Sequence, residues 1–310
     1  MKFEDVENSR KAYITKLRQA RKVFLCIALP IIITIIVVVS LLSGPILTPF
    51  VVVPVLSSVF IPFLFIFIIV SLITGFKTKK ERTDYYRMYK SYFVSQQLAK
   101  FFTDLQYNHE QGLDSSILAA TGMIHTGDRY YSNDLTHGKY KNIGFVQADV
   151  TVQDEHTDSD GDTTYITVFK GRYMIFEFPK KFDFKMVITP KGHFNSAMSR
   201  DNRKFEKIEV ESVEFNKRFR VYAQDGFEAF YILDPASIIS IEELEDKYNN
   251  RVSLYFYENK LFIGINNGND SFEPPAPNRP INEQVELAKV NNDIQVIIDF
   301  VDKLRLDRKK

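Results

Sequence analysis

The sequence predicts an α+β protein in which an N-terminal two-helix transmembrane hairpin precedes a cytoplasmic antiparallel-sheet domain with flanking helices and a C-terminal amphipathic helix. Three observations predict this fold class. No Lys, Arg, Asp, Glu or His occurs from Val23 to Phe76, which is typical of membrane-spanning segments. After Gly122, short runs rich in Val, Ile, Phe, Tyr and Thr follow one another, which is typical of strands. From Leu287 to Leu304, apolar residues recur every three or four positions, which is typical of an amphipathic helix.

The transmembrane hairpin is predicted over residues 23–76, after a basic cytoplasmic segment at 1–22. Its first span, 23–42, has 20 residues, and a helix of that length crosses a hydrocarbon core of about 30 Å. Gly and Pro then break the helix, and the second span is predicted at 51–73. Basic residues flank the hairpin on both outer sides, whereas the turn carries none. The positive-inside rule therefore places both termini of this multi-pass cell-membrane protein in the cytoplasm.

The hairpin is predicted to anchor the protein in the lipid bilayer rather than to conduct ions. Ionisable residues inside a membrane normally mark ion or proton pathways, and the predicted spans have none. An oligomeric pore or transport subunit, assembled as a homo-oligomer, is the alternative that this pattern disfavours.

The cytoplasmic body is predicted in three parts, which are a juxtamembrane amphipathic helix at 77–112, an α+β domain at 113–273, and a Pro-rich linker with the C-terminal helix at 274–310. Asp114 is the predicted N-cap of a short helix, since its carboxylate can accept a hydrogen bond from the first turn. This helix ends at residue 120, and further helices are predicted at 227–233 and 235–248. Strands are predicted at 143–152, 163–178, 184–188, 208–215 and 219–223, with a hairpin formed by 252–257 and 261–266.

Composition excludes several classes of function. Cys26 is the single cysteine, so neither an intramolecular disulfide nor a multi-cysteine metal site is possible. Residues 83–310 carry an excess of acidic side chains, which argues against nucleic-acid binding, because that depends on clustered positive charge. No catalytic or nucleotide-binding motif occurs, so no catalytic residue and no cofactor is assigned. The predicted function is a membrane-anchored binding or scaffolding domain.

One acidic run is the candidate for metal binding. Residues 153–164 read QDEHTDSDGDTT, and a Ca²⁺-binding EF-hand loop beginning at Asp158 would need Gly at its sixth position and Glu at its twelfth. Thr163 and Phe169 occupy those positions, so a solvated hairpin loop is favoured. The alternative is a metal-dependent, membrane-tethered enzyme that uses this loop, with these candidate ligands: Asp154, Asp158, Asp160 and Asp162.

Several motifs resemble those of a known bacterial family, the domain of unknown function 3137. They read YSNDLTHGKY at 131–140, FVQADV at 145–150, FKGRY at 169–173, EFNKRF at 214–219 and EAFYILDP at 228–235. The resemblance extends from about residue 16 to residue 272. It implies a bacterial integral membrane protein with a cytoplasmic domain, no established activity, no assigned catalytic residues, and a LemA-like membrane-protein partner. The motif residues Asp134, Gly138 and Gly171 are interpreted as turn or bulge positions, because Gly and Asp favour such backbone conformations.

Overall fold

The computed structural model describes residues 1–42, 68, 75, 78–191, 205–249 and 251–307. These residues form two compact units, which are described separately. Unit 1 consists of Met1–Tyr92 and Pro274–Glu283, and unit 2 consists of Phe93–Glu273 and Gln284–Lys310.

Unit 1 begins with one long helix, α1 (Phe3–Leu42). Glu4 and Asp5 lie in its first turn, where acidic side chains interact favourably with the helix dipole. The first predicted span, 23–42, is helical and continues the N-terminal segment without a break. The second predicted span, 51–73, lies outside the described residues except for residue 68. Within the part of the chain that the structure describes, no helix has the length and hydropathy that a membrane crossing requires. The predicted two-span topology thus gains no support from the structure and stays a prediction from the sequence.

The Pro-rich segment is packed within unit 1. The Arg10 side chain pairs with Glu7 at 2.5 Å and also donates to the carbonyl oxygen of Pro277 at 2.5 Å. The Tyr85 hydroxyl, from the helical residues 78–89 that form α2, donates to the carbonyl oxygen of Pro275 at 3.0 Å. These bonds tie the Pro-rich segment to α1 and α2.

Unit 2 contains an antiparallel sheet of seven strands in its described residues, and the predicted α+β class is confirmed. The strand order is β1-β2-β3-β4-β6-β5, and β7 also pairs with β4. The strands are β1 (Thr103–Asn108), β2 (Arg129–Tyr140), β3 (Ile143–Thr157), β4 (Thr163–Pro190), β5 (Glu206–Ile208), β6 (Phe219–Ala223) and β7 (Val252–Ile265). The helices are α3 (Gln96–Phe101), α4 (Ser115–Thr121), α5 (Val213–Arg218), α6 (Gly226–Ile232), α7 (Pro235–Lys247) and α8 (Glu283–Lys303), with a π-helical turn at Lys90–Ser95.

Several elements differ from the prediction, in most cases because pairing in the sheet overrides local pattern. The strands predicted at 163–178 and 184–188 are one strand, β4, and β2 lies where no strand is predicted. The helix predicted over 77–112 ends at Phe101, and residues 103–108 instead pair with β2. The strand predicted at 208–215 ends early, since the Ser212 hydroxyl accepts a hydrogen bond from the Phe215 N–H and begins α5. The predicted hairpin at 252–266 is one continuous strand, because β4 is long enough to pair with both of its halves.

The core of unit 2 lies where the sheet is covered by α4 and the segment after it. Its buried members are apolar side chains from β3, β4 and β7 together with those of the covering segment: Leu113, Leu118, Met123, Ile124, Ala148, Val150, Val152, Phe169, Tyr173, Val187 and Tyr255. Asp114 caps α4 as predicted, accepting from the Ser116 N–H at 2.8 Å.

The C-terminal amphipathic helix docks on its own domain. The apolar stripe of α8 is buried, with Val290, Ile294 and Ile297 fully so. Phe300 stacks on Tyr248 with ring centroids 5.8 Å apart. The helix thereby brings Asp293 next to the sheet, where the candidate site lies.

Candidate functional site

The candidate site lies in unit 2, where polar side chains of three neighbouring strands point into the protein. In the sheet register, Asp149 of β3 is paired with Asn133 of β2 on one side and with Arg172 of β4 on the other. The β2 register shifts just after Asn133, and Asp134 adopts a left-handed backbone with φ of 57°. Asp tolerates this conformation better than most residues. The irregularity places two carboxylates, of Asp134 and Asp149, side by side.

Asp134 is fully buried and held by hydrogen-bond donors. The Tyr107 hydroxyl, from β1, donates to its Oδ1, and the Asn133 side-chain amide donates to its Oδ2 at 2.7 Å. Burial raises the pKa of Tyr107, and the nearby Asp134 charge raises it further. Tyr107 therefore remains protonated and serves as a permanent donor to this carboxylate.

Asp149 is the most perturbed carboxyl group of the site. Its side chain is 4% exposed, and its Oδ2 accepts a hydrogen bond from the Ser271 N–H at 2.9 Å. Among the described residues, its buried Oδ1 has no hydrogen-bond partner. Burial raises the pKa of Asp149 to about 8, and the effect of burial prevails over the opposing attraction of Arg172. A carboxyl group perturbed in this way is a candidate functional group.

Arg172 is the one positive side chain that the described part of the site contains, and its donors bond to Ser271 and Asp293. Its Nε donates to the Ser271 Oγ at 3.2 Å, and its Nη1 donates to the backbone carbonyl of Asp293. Its Nη2 lies 3.9 Å from the Asp293 Oδ1. The preceding residue, Gly171, is required by close packing, since a Cβ there would lie 2.0 Å from the carbonyl oxygen of Ile265.

The third carboxylate comes from the loop between β7 and α8. Asp270 is exposed, and one carboxylate oxygen each of Asp134, Asp149 and Asp270 lies within 4.8 Å of the others. We call these three residues the carboxylate cluster. Two buried members and one exposed member give it an opening to solvent. Chemically, the cluster concentrates negative charge and offers hard oxygen atoms, which suit a proton or a hard cation.

The acidic loop predicted as a metal site lies elsewhere, in the turn between β3 and β4. The Asp158 Oδ1 accepts hydrogen bonds from the backbone N–H groups of Asp160 and Asp162, at 3.0 and 2.9 Å, which is turn chemistry of the predicted kind. Asp154 lies 3.2 Å from the His125 Nε2. Among the described residues, the loop forms no group of three carboxylates as close as the carboxylate cluster. Metal binding by the loop stays a prediction.

The sequence predicted the backbone role of one motif residue but not the cluster. The interpretation of Asp134 as a turn or bulge position is confirmed by its backbone angle and by the register shift beside it. Gly171 lies in regular register in β4, opposite Val150, so its interpretation as a turn or bulge position is wrong. Gly138 also differs, since it lies inside β2, where a Cβ would be 3.0 Å from the Phe145 ring. The available signal was Asp149 itself, a carboxylate within the apolar strand sequence FVQADV.

A second surface feature of unit 2 is an exposed aromatic face on α6. Phe227, Phe230 and Tyr231 are 73%, 49% and 53% exposed, whereas Ala229 and Ile232 on the opposite face are buried. The Phe227 and Tyr231 rings are 5.8 Å apart in an edge-on arrangement. We call Phe227, Phe230 and Tyr231 the aromatic face.

Comparison with known proteins gives a family match and one distant structural likeness. Residues 167–306 match the model of a family described as "Protein of unknown function (DUF3137)". The match confirms the family resemblance over that range, and the motifs at 131–140 and 145–150 lie outside it. The chain is similar to the crystal structure of the mycobacterial trehalose monomycolate transport factor A, TtfA, with 11% identity and a TM-score of 0.37 over 71% of this chain and 94% of that chain. No curated protein matches the chain.

Proposed function

We propose that this protein is a membrane-anchored binding module, and that its domain binds another protein through the aromatic face of α6. The observation that carries the proposal is the exposure of three large aromatic side chains on one face of a helix whose other face is already buried. Aromatic residues are enriched among the side chains that dominate binding energy at protein interfaces.

Membrane anchoring is supported by the sequence. The absence of charge from Val23 to Phe76, together with its basic flanks, is what a cytoplasmically oriented hairpin requires. The lipid bilayer is then the first partner, and the folded domain is held on its cytoplasmic side. Resistance of the full chain to extraction by alkaline carbonate, with release by detergent, is the expected result. Release by carbonate alone would refute the anchor without affecting the aromatic face.

The charge around the aromatic face favours a protein over a lipid surface as its occupant. Asp225, Glu228 and Asp234 lie on α6 or next to its ends, and no Lys or Arg occurs from residue 221 to residue 246. The cytoplasmic leaflet is anionic and attracts basic segments, so it would repel this border. We infer a protein partner whose apolar surface is bordered by basic residues, because complementary charge directs such association.

Site-specific photocrosslinking in native membranes tests this binding mode. A photoreactive phenylalanine analogue replaces Phe227 in the full chain, and the control carries it at Tyr131, which is 56% exposed on β2. We expect one discrete crosslinked protein from position 227 and none of that mass from position 131. The E228K substitution should weaken the crosslink, since it reverses a charge at the contact.

Three other outcomes would contradict the binding mode. A crosslinked mass of twice the chain would indicate a homo-oligomer, and crosslinking to lipid would indicate a membrane contact. A crosslink that persists unchanged after E228K would exclude the proposed charge complementarity.

A further inference from the structure

We infer that the carboxylate cluster is a binding site for a hard divalent cation of the Mg²⁺, Mn²⁺ or Ca²⁺ class, with Asp134, Asp149 and Asp270 as the ligands. This inference is independent of the aromatic face and of the membrane anchor.

The first observation is the convergence of the three side chains from distant parts of the chain. A strand irregularity in β2, the middle of β3 and the loop after β7 bring one oxygen of each carboxylate within 4.8 Å of the others. Folding must overcome the repulsion among these like charges. Such an arrangement persists more readily when a cation is bound between the oxygens.

The second observation is the orphaned oxygen of Asp149. Its Oδ2 is held by the Ser271 N–H, while its buried Oδ1 has no hydrogen-bond partner among the described residues. A buried polar atom without a partner is unfavourable, and more so when it is charged. Coordination of a cation by Oδ1 would remove this penalty.

The net charge of the residues around the carboxylate cluster also favours a bound cation. Arg172 is positive and buried, but its donors are used by Ser271 and Asp293. Asp293 adds a fourth carboxylate at the margin, with its Oδ2 accepting from the Phe272 N–H at 3.1 Å. The described surroundings therefore keep an excess of negative charge after Arg172 is counted, and a divalent cation compensates it.

The donor set indicates the class of cation. All three candidate ligands are carboxylates, and hard oxygen donors select Mg²⁺, Mn²⁺ and Ca²⁺, whereas thiolates and imidazoles favour softer metals. Three protein ligands leave further coordination positions for water, and the exposed Asp270 provides a route from solvent. The Tyr107 hydroxyl donates a hydrogen bond to Asp134. Carboxylates that bind metals are usually held by such hydrogen bonds.

Tyrosine-sensitised terbium luminescence tests the site directly. The chain has no Trp, and the Tyr107 hydroxyl bonds to a proposed ligand, so Tb³⁺ in the cluster should be excited through tyrosine. The full chain, purified in detergent and treated with a chelator, is titrated with Tb³⁺, which Mn²⁺, Mg²⁺ and Ca²⁺ then displace. Direct calorimetric titration with Mn²⁺ gives a second measure of affinity.

Matched charge-removing variants locate the binding. We expect D149N to weaken Mn²⁺ and Tb³⁺ binding at least tenfold. Loss of a residue that only supports a metal ligand already lowers metal affinity by about 10–100-fold. D270N removes the charge of an exposed ligand, so it should weaken cation binding while the protein still folds. D270N therefore tests the binding site even if D149N does not fold. D160N removes the same charge from the exposed loop and should leave the affinity unchanged.

Several results would overturn the inference. Absence of binding at millimolar Mn²⁺, Mg²⁺ and Ca²⁺ would do so, as would wild-type affinity in both D149N and D270N. Loss of binding in D160N would place the cation in the acidic loop instead. None of these results bears on crosslinking through the aromatic face, so failure of this inference is distinguishable from failure of the proposed function.

Discussion

Replacing Asp149 with asparagine should make the metal-free protein more stable, and increasingly so as the pH rises. Burial raises the pKa of Asp149 to about 8, from an ordinary value of 3.8. Between these two values the folded chain holds a proton that the unfolded chain has released. The contribution of Asp149 to the unfolding free energy is therefore fully present below pH 3.8, and it is lost as the pH rises towards 8.

The magnitude follows from the linkage between protons and folding. Each pH unit inside the window costs the wild type at most about 1.4 kcal/mol, so raising the pH from about 5 to about 7 costs at most about 2.7 kcal/mol. The amide that D149N introduces cannot ionise, and its side-chain oxygen can still accept from the Ser271 N–H. The difference in unfolding free energy between D149N and wild type should therefore widen by about 2–3 kcal/mol over that range.

Urea-induced unfolding of the full chain in detergent and chelator, followed by the near-ultraviolet circular dichroism of tyrosine, measures this difference. D160N is the control, because Asp160 is exposed and its charge is solvated in both states. A difference between D149N and wild type that stays constant with pH would refute the reasoning. If the carboxylate cluster binds a cation, Mn²⁺ at a hundred times the wild-type dissociation constant should stabilise the wild type by about 2.7 kcal/mol and D149N by clearly less, because D149N binds the ion more weakly.

Three further substitutions test the packing within unit 2, each by urea-induced unfolding. Gly171→Ala should destabilise unit 2 by about 1–3 kcal/mol, because the new Cβ would lie 2.0 Å from the Ile265 carbonyl oxygen; a neutral effect would show that β7 moves away freely. Phe300→Ala should cost about 3–5 kcal/mol, since the ring is fully buried in the docked α8; a cost under about 1 kcal/mol would contradict the docking. Arg218→Ala should lower the unfolding free energy by about 3–5 kcal/mol, because it leaves the buried Glu245 carboxylate, 2.8 Å away, without its partner. Arg218→Lys should recover part of this stability. Equal losses in both variants would argue against the ion pair.

Local sequence signals predicted those elements whose stabilising contacts are close in the chain. Asp114 caps α4 and α7 begins with Pro235, both as predicted, because helix starts depend on residues within one turn. The apolar stripe of α8 likewise predicted an amphipathic helix, and the residues of that stripe are the ones that are buried.

Sequence signals failed where a distant strand decided the conformation. Residues 103–108 are predicted as the end of the juxtamembrane helix, but they are extended because β2 supplies their hydrogen bonds. The turn-like sequence around Glu258 predicted a hairpin, yet β7 passes through it with φ of 54° at Glu258 and continues along β4. The tertiary structure determines which strands pair, and the conformational propensity of individual residues is too weak to change that pairing.

By itself the amino-acid sequence determined the α+β class, the charge-free N-terminal stretch, the helix caps and the turn chemistry of the acidic loop, since each depends on neighbouring residues or on composition. Only the tertiary structure decided which carboxylates share a site. Asp134, Asp149 and Asp270 are ordinary acidic residues along the chain, and they become a coupled, partly buried cluster only when β2, β3 and the loop after β7 converge. The physical reason is that burial and repulsion between charges depend on distance in space, which spacing along the chain does not specify.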